Sequence, residues 1–202
     1  MVQTAEGVGM GRCIVLASSS PRRRELLAKM GLFFRIEPAN IDEGVRLEES
    51  PYNLVRRLAT SKAVVVGTRH PECLIIGADT VVVYQGHIFG KPTSRENARE
   101  MLSRLSGQRH QVFTALAVWE PKQGLGRVQV DQVEIEFVSF SEEDVEQYLH
   151  TDEPWDKAGA YAIQGYAQRW VKNIAGDVQT VIGLPTRLLT GMLSRSNKGR
   201  QQ

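Results

Sequence analysis

The run Ser18-Ser19-Ser20-Pro21-Arg22-Arg23-Arg24 concentrates hydroxyls, a proline and three cations. An apolar segment, Cys13–Ala17, leads into it and a helical pattern, Glu25 to Met30, leads out. Ser20 suits an N-cap and Pro21 a first helical position. Three arginines then fall in the first turn, where the helix dipole disfavours each cation by roughly 0.3–1 kcal/mol. Phosphates docked on the free N–H groups of that turn would reverse the penalty. A solvated basic turn is the competing reading.

Asp79 lies inside the apolar run Leu74–Val83, where a lone carboxylate is costly to bury. It reads either as a strand-end residue capping a turn or as a strand-end carboxylate facing a cleft, able to act as a general base or metal ligand. Thr80 beside it can hydrogen-bond a ligand. Lys62 falls near the apolar stripe of a helix, either snorkelling or directed at phosphate. Lys91, next to Pro92, is a further cation, with an exposed turn lysine as its alternative. Asp42-Glu43 can contribute to Mg²⁺ binding, since that ion takes one or two carboxylates plus substrate phosphates; a solvated acidic loop is the alternative. In Asp156–Gly165, Gln164 carries an amide able both to donate and to accept, suited to a base edge; ordinary loop filler is the alternative.

These residues need elements to hold them. The chain has 202 residues, 42% of them hydrophobic, and a formal net charge of +2. That fits one large domain, or one domain with two lobes, and gives no nucleic-acid or anionic-membrane signature. Cys13 and Cys73 both sit in strand-like runs and read as small core residues, neither a disulfide nor a metal site. The four histidines are far apart and read as surface or hydrogen-bonded residues. Met1–Gly11 reads as a flexible arm, residues 12–194 as the domain and 195–202 as a polar tail.

Strands are expected at Cys13–Ala17, Phe33–Glu37, Leu74–Tyr84 (interrupted at Gly77–Thr80), His87–Gly90, Gln111–Trp119, Val128–Phe140 and Tyr166–Ile174. Helices are expected from Pro21, from Pro51 to about Thr68, from Ser94 to Gly107, from Ser141 and near the C-terminus. The class is α/β, with antiparallel-looking strands in the middle that argue against a purely parallel sheet.

In order along the chain, Leu16–Arg23, Arg57-Leu58-Ala59 with Lys62-Ala63, Gly77–Val82, Gly90-Lys91-Pro92, Leu105-Ser106-Gly107 with His110, Glu153-Pro154, Asp156–Gly165 and Gly183-Leu184-Pro185 resemble the Maf family of nucleoside triphosphate pyrophosphatases. The resemblance implies a two-lobed mixed sheet with flanking helices around a central cleft, similar to inosine triphosphate pyrophosphatase. It implies hydrolysis between the α and β phosphates with a divalent cation, Mg²⁺ or Mn²⁺, in a cytoplasmic homodimer that needs neither nucleic acid nor membrane. It carries the general base to Asp79, phosphate binding to Ser18, Ser20, Arg22, Arg23, Lys62 and Lys91, and metal binding to Glu43 with Asp79. Arg22, Thr80 and Gln164 together look like the branch acting on dTTP and UTP, against a 7-methyl-GTP branch. The family is also associated with septum formation, which leaves a nucleotide-sensing regulator of cell division as an alternative class.

Overall fold

A computed structural model of the chain describes residues 13–198, which build one seven-stranded mixed sheet with helices on both faces. The elements run β1 (Ile14–Leu16), α1 (Pro21–Lys29), β2 (Arg35–Ile36), α2 (Pro51–Arg69), β3 (Leu74–Tyr84) and β4 (His87–Phe89). They continue with α3 (Arg95–Leu105), β5 (Arg109–Glu120), β6 (Leu125–Phe137), α4 (Glu142–Leu149), β7 (Val171–Ala175), α5 (Val178–Ile182) and α6 (Thr186–Lys198). The sheet order is β2-β1-β3-β5-β6-β7, with β4 also on β3. β1 pairs in parallel with β2 and β3, and every later pairing is antiparallel.

β3 is the axis of the fold. Its eleven residues are almost all buried, so it reads as a near-continuous apolar run rather than an alternating one. One edge is taken by β5 along Ile75–Val83. The other edge is shared. β1 pairs with Leu74–Ile76, and β4 returns to pair with Val82–Tyr84. Between them, residues 77–81 have no strand neighbour on that edge, and the gap is where the cavity opens.

Helix α2 covers one face. Gly77 allows it to lie directly on β3, because a Cβ there would stand 2.3 Å from the Ala59 carbonyl oxygen. Val55, Ala59, Ala63 and Val66 pack against Val15, Ile75, Val81 and Ala115 on this side. The opposite face carries two separate clusters. At one end α1 and α6 pack Leu27, Leu189 and Met192 on Leu16, Ile76 and Leu116. At the other, α3 and α4 pack Leu102, Leu105, Tyr148 and Leu149 on Val82, Val112 and Ile135. The two clusters share the long strands β3 and β5.

Several expectations need correction. β3 is not interrupted at Gly77–Thr80, so Asp79 is a mid-strand residue, not a strand-end one. Tyr166–Ile174 is not one strand: Tyr166–Trp170 forms a 3₁₀ helix that buries Ala167 and Trp170, and the strand is Val171–Ala175. Cys13 and Cys73 are not separate core residues but form a disulfide. The parallel register sets Ile14 beside Leu74, so the two preceding residues, one on each strand, meet with their Cα atoms 4.6 Å apart. The C-terminal helix extends to Lys198, through the first residues of the segment read as a tail. The arm Met1–Gly11 lies outside the described residues. Among the described residues no helix is long and apolar enough to cross a membrane.

Candidate active site

The serine-arginine run forms as its sequence dictates. β1 ends at Leu16, the chain turns through Ser18 and Ser19, and α1 begins at Pro21 with Ser20 as N-cap. The Ser20 hydroxyl accepts from the Arg23 N–H, while Ser18 is buried and its hydroxyl accepts from the Ser20 N–H at 3.2 Å. The first turn holds no acidic residue. Its helix N-terminus therefore faces the gap beside β3 with its dipole uncompensated by any carboxylate of its own.

A cavity of about 380 Å³ fills that gap, within the range of small-molecule sites. Ser18, Ser20, Arg22, Arg23, Glu43, Lys62, Asp79, Thr80, Lys91 and Gln164 all line it. The structure thus gathers these ten residues from six separate parts of the chain; Asp42, read with Glu43 for Mg²⁺, does not line the cavity and instead accepts the Gly44 N–H at 2.9 Å.

Asp79 and Lys62 meet across the α2–β3 interface. Lys62 Nζ donates to Asp79 Oδ1 at 2.7 Å, and both side chains are under a tenth exposed. The same ammonium reaches Glu43 Oε1 at 2.6 Å. Lys62 thus neither snorkels to solvent nor stands free; it bridges two carboxylates. The two differ in their acid strength. For Asp79 burial dominates, and the Lys62 and Arg23 charges do not offset it, so its carboxyl is pushed above the ordinary aspartate value. For half-exposed Glu43 burial also pushes upward, but the Lys62 hydrogen bond and charge, helped by Lys91 and Arg23, hold the carboxyl below the ordinary glutamate value. Carboxylates driven apart in this way suit different tasks: a base poised for proton transfer, and an acceptor that stays ionised.

Glu43 lies in the acidic loop that precedes α2. Its anchor is Glu49, whose carboxylate takes Arg57 Nε and Nη2 at 2.6 and 2.7 Å. Arg57 Nη2 also donates to the Gly44 carbonyl at 2.8 Å. This two-pronged grip lowers the Glu49 pKa to about 2 and pins the residue next to Glu43 onto α2. Arg57 belonged to the motif Arg57-Leu58-Ala59, but nothing in the spacing paired it with Glu49.

Arg23 does not point freely at the cavity. Nε donates to the Gly183 carbonyl at 2.9 Å, Nη1 to Ser18 Oγ at 3.3 Å and Nη2 to Thr80 Oγ1 at 3.0 Å. Burial pulls its pKa down, against the attraction of Asp79. Two of its five N–H groups remain for a ligand. Thr80 is therefore engaged with an arginine and with Thr114, its partner across the β3–β5 ladder, at 2.9 Å. Asp79 and Thr80 point to opposite faces of the sheet, yet both reach the cavity because the open edge of β3 lets it wrap around the strand.

Arg22 is half-buried and touches Asp156 at 3.7 Å, a long contact between partly exposed groups that is worth little by itself. Lys91 is exposed on the cavity wall just after β4. Gln164 is exposed at its rim, in the loop after Tyr161. That loop is fixed by Glu153, whose carboxylate accepts the Tyr166 N–H at 3.0 Å. Gly165 (φ +118°) is required there, since a Cβ would stand 2.3 Å from the same carboxylate. Behind the loop, His110 Nε2 contacts the Tyr161 hydroxyl at 2.8 Å. Burial lowers the His110 pKa to about 4, so it is neutral near pH 7.

The donor set fits a divalent ion shared with a substrate. Glu43 and Asp79 already turn hard carboxylate oxygens toward one cation, Lys62 Nζ. Among the described residues no group of three or more His, Cys, Asp and Glu converges as an all-protein cage. Mg²⁺ is held in this way when phosphate oxygens and water complete its shell.

A dTTP/UTP pyrophosphatase of Koribacter versatilis (strain Ellin345) is 41% identical over 189 residues, covering 94% of this chain and 96% of that protein. A dTTP/UTP pyrophosphatase of Geobacillus sp. (strain WCH70) is 46% identical over 173 residues, covering 85% and 91%. Among solved structures, the Staphylococcus aureus Ham1 protein matches at 14% identity and a TM-score of 0.46, covering 92% of this chain and 100% of that one. The model of Maf-like proteins matches residues 13–196, from the foot of β1 into α6, and the chain belongs to the Maf family.

Proposed function

We propose that this protein hydrolyses dTTP and UTP to the nucleoside monophosphate and pyrophosphate. One observation carries the reading: Asp79, buried in the sheet gap with a raised pKa, faces the same cavity as the N-terminus of α1 and its arginines. The names of relatives at 41–46% identity over most of the chain supply the substrate.

The triphosphate would lie along the Ser20–Arg23 turn, taking backbone N–H groups, the spare N–H groups of Arg23, and Arg22 once it leaves Asp156. Ser18 shapes this turn from behind. Lys91 would neutralise the remaining phosphate charge, joined by Lys62 once an ion shares Glu43 and Asp79 with it. Asp79 accepts the proton of the attacking water; its raised pKa makes it a better base than an ordinary aspartate. Glu43 and Asp79 would hold Mg²⁺ or Mn²⁺, which when bound supplies positive charge to phosphate oxygens. Positioning and charge stabilisation of this kind account for most of the catalysis in phosphate chemistry.

Gln164 and Thr80 would select the base. Uracil and thymine present acceptor, donor and acceptor on their pairing edge, whereas cytosine presents a donor at its 4-amino group. A site built for one edge rejects the other because its own polar groups go unpaired. The reaction belongs in the cytoplasm, where nucleoside triphosphates are held, and a homodimer is part of the same proposal. The test is a panel of nucleoside triphosphates with Mg²⁺ or Mn²⁺, scored for pyrophosphate and monophosphate. Preference for dTTP and UTP over dCTP and purine nucleotides is expected; preference for 7-methyl-GTP, or no turnover of any nucleotide, would overturn it.

A further inference from the structure

We propose that Thr114, fully buried on β5 and outside the cavity wall, is a positioning residue that locks Arg23 into its phosphate-binding pose through a closed ring of hydrogen bonds. The inference rests on the reading of Arg23 as a phosphate contact. Its geometry does not depend on which nucleotide is the substrate.

The direction of each bond follows from the donors available. Thr114 Oγ1 lies 2.7 Å from the Thr180 carbonyl oxygen, which can only accept. A hydroxyl has one proton. Thr114 has spent its proton on Thr180, so in the 2.9 Å contact with Thr80 it must accept. The Thr80 proton is thereby fixed toward Thr114, and only lone pairs of Thr80 Oγ1 remain. One of them receives Arg23 Nη2 at 3.0 Å. The Thr180 carbonyl also accepts the Gly183 N–H at 3.1 Å, and the Gly183 carbonyl accepts Arg23 Nε at 2.9 Å. The ring closes: arginine to Thr80, Thr80 to Thr114, Thr114 to the Thr180 carbonyl, and back through Gly183 to the same guanidinium.

The parts of the ring are well anchored. The β3–β5 register sets Thr80 opposite Thr114. Thr114 and Thr180 are 0% exposed, and the Thr180 hydroxyl is held by Asp131 on β6. Gly183 has φ +112°, and a Cβ there would stand 3.2 Å from Thr80 Oγ1 and 3.4 Å from Arg23 Nε. Every member is thus fixed by an element other than α1, which carries Arg23. The guanidinium is held on two sides before any phosphate arrives, so ordering it costs the ligand little. The ring has a second consequence. Thr80 can only accept from a ligand, which matches the N3–H donor of uracil or thymine.

The experiment compares wild type, Thr114→Val, Thr114→Ser, Thr80→Val and Arg23→Ala. Each is measured for inorganic tripolyphosphate binding by calorimetry, for KM and kcat with dTTP, and for thermal midpoint. Thr114→Val should weaken tripolyphosphate binding and raise KM about tenfold, the loss expected for one ordering hydrogen bond. Thr114→Ser keeps the hydroxyl and should behave as wild type. Thr80→Val removes the direct acceptor of Arg23 at a half-buried link and should weaken tripolyphosphate binding, which involves no base, at least as much as Thr114→Val; this keeps the test alive if the buried variant does not fold. In the Arg23→Ala background, Thr114→Val or Thr80→Val should weaken tripolyphosphate binding no further. Unchanged tripolyphosphate binding in folded Thr114→Val or Thr80→Val would overturn the proposal, as would losses that add to that of Arg23→Ala. If wild type binds tripolyphosphate but turns over no nucleotide, the functional reading fails while the ring is still tested by binding.

Discussion

Replacing Asp79 by Asn should separate catalysis from stability in opposite directions. The side chain is 6% exposed and keeps its shape on substitution. Asn cannot take a proton from water, and loss of a positioned general base costs typically 10²–10⁴-fold, or roughly 3–5 kcal/mol of barrier. Stability should not follow. Burial raises the Asp79 pKa even though Lys62 sits at 2.7 Å and Arg23 adds attraction. The native state therefore binds more protons than the unfolded chain between the unfolded and native pKa values. Wild-type stability falls as pH rises through that window, so the ionised carboxylate is a net cost at neutral pH. The neutral amide removes this cost while Lys62 keeps Glu43. The assay is steady-state pyrophosphate release from dTTP, with nucleotide binding and thermal midpoints at pH 5 and pH 8. Turnover should fall 10²–10⁴-fold, binding should largely persist, and the midpoint at pH 8 should equal or exceed wild type. Near wild-type turnover would remove Asp79 as the base. A midpoint several degrees lower would mean that the Lys62 pair outweighs burial.

Lys62→Met leaves Glu43 and Asp79 without their shared cation, so both carboxyls should titrate at higher pH. The acid limb of kcat/KM should then move to higher pH, and a limb that stays in place would count against the triad. Gln164→Glu should lower the kcat/KM ratio of dTTP over dCTP by about tenfold; an unchanged ratio would remove Gln164 as a base reader. Reducing the Cys13–Cys73 disulfide, which spans a sequence separation of 60, should lower stability by up to about 4 kcal/mol. Thermal melts with and without reductant measure this, and alkylation with mass detection should find two free thiols only after reduction.

Much of the site was legible because its signals are local. Ser20-Pro21 marks a helix start by capping chemistry alone, and α1 begins there. Asp79 stood out as a charge in an apolar run. Its setting did not, because a carboxylate in mid-strand looks unfavourable until the gap between β1 and β4 is known, and that gap is a property of pairing. The pairing of Cys13 with Cys73 is hidden for the same reason: 60 residues apart, they meet only through the parallel register of β1 and β3. Thr114 and Thr180 gave no signal at all. A buried threonine in a strand looks like any β-branched residue, and the direction of its proton emerges only when its acceptors are in place. Tyr166–Trp170 carries the aromatic residues that strands favour, but Trp170 stacks on Phe140 and the segment forms a tight helical turn.

The central claim is that the arginine turn, Lys62 and Asp79 direct cleavage to the bond between the α and β phosphates. Its most direct test is the stoichiometry of products from dTTP with purified protein and Mg²⁺, resolved by ³¹P NMR. One pyrophosphate should appear for each dTMP, with no dTDP at any time and no product from Asp79→Asn over the same interval. Accumulation of dTDP with orthophosphate, or equal product from Asp79→Asn, would contradict the account.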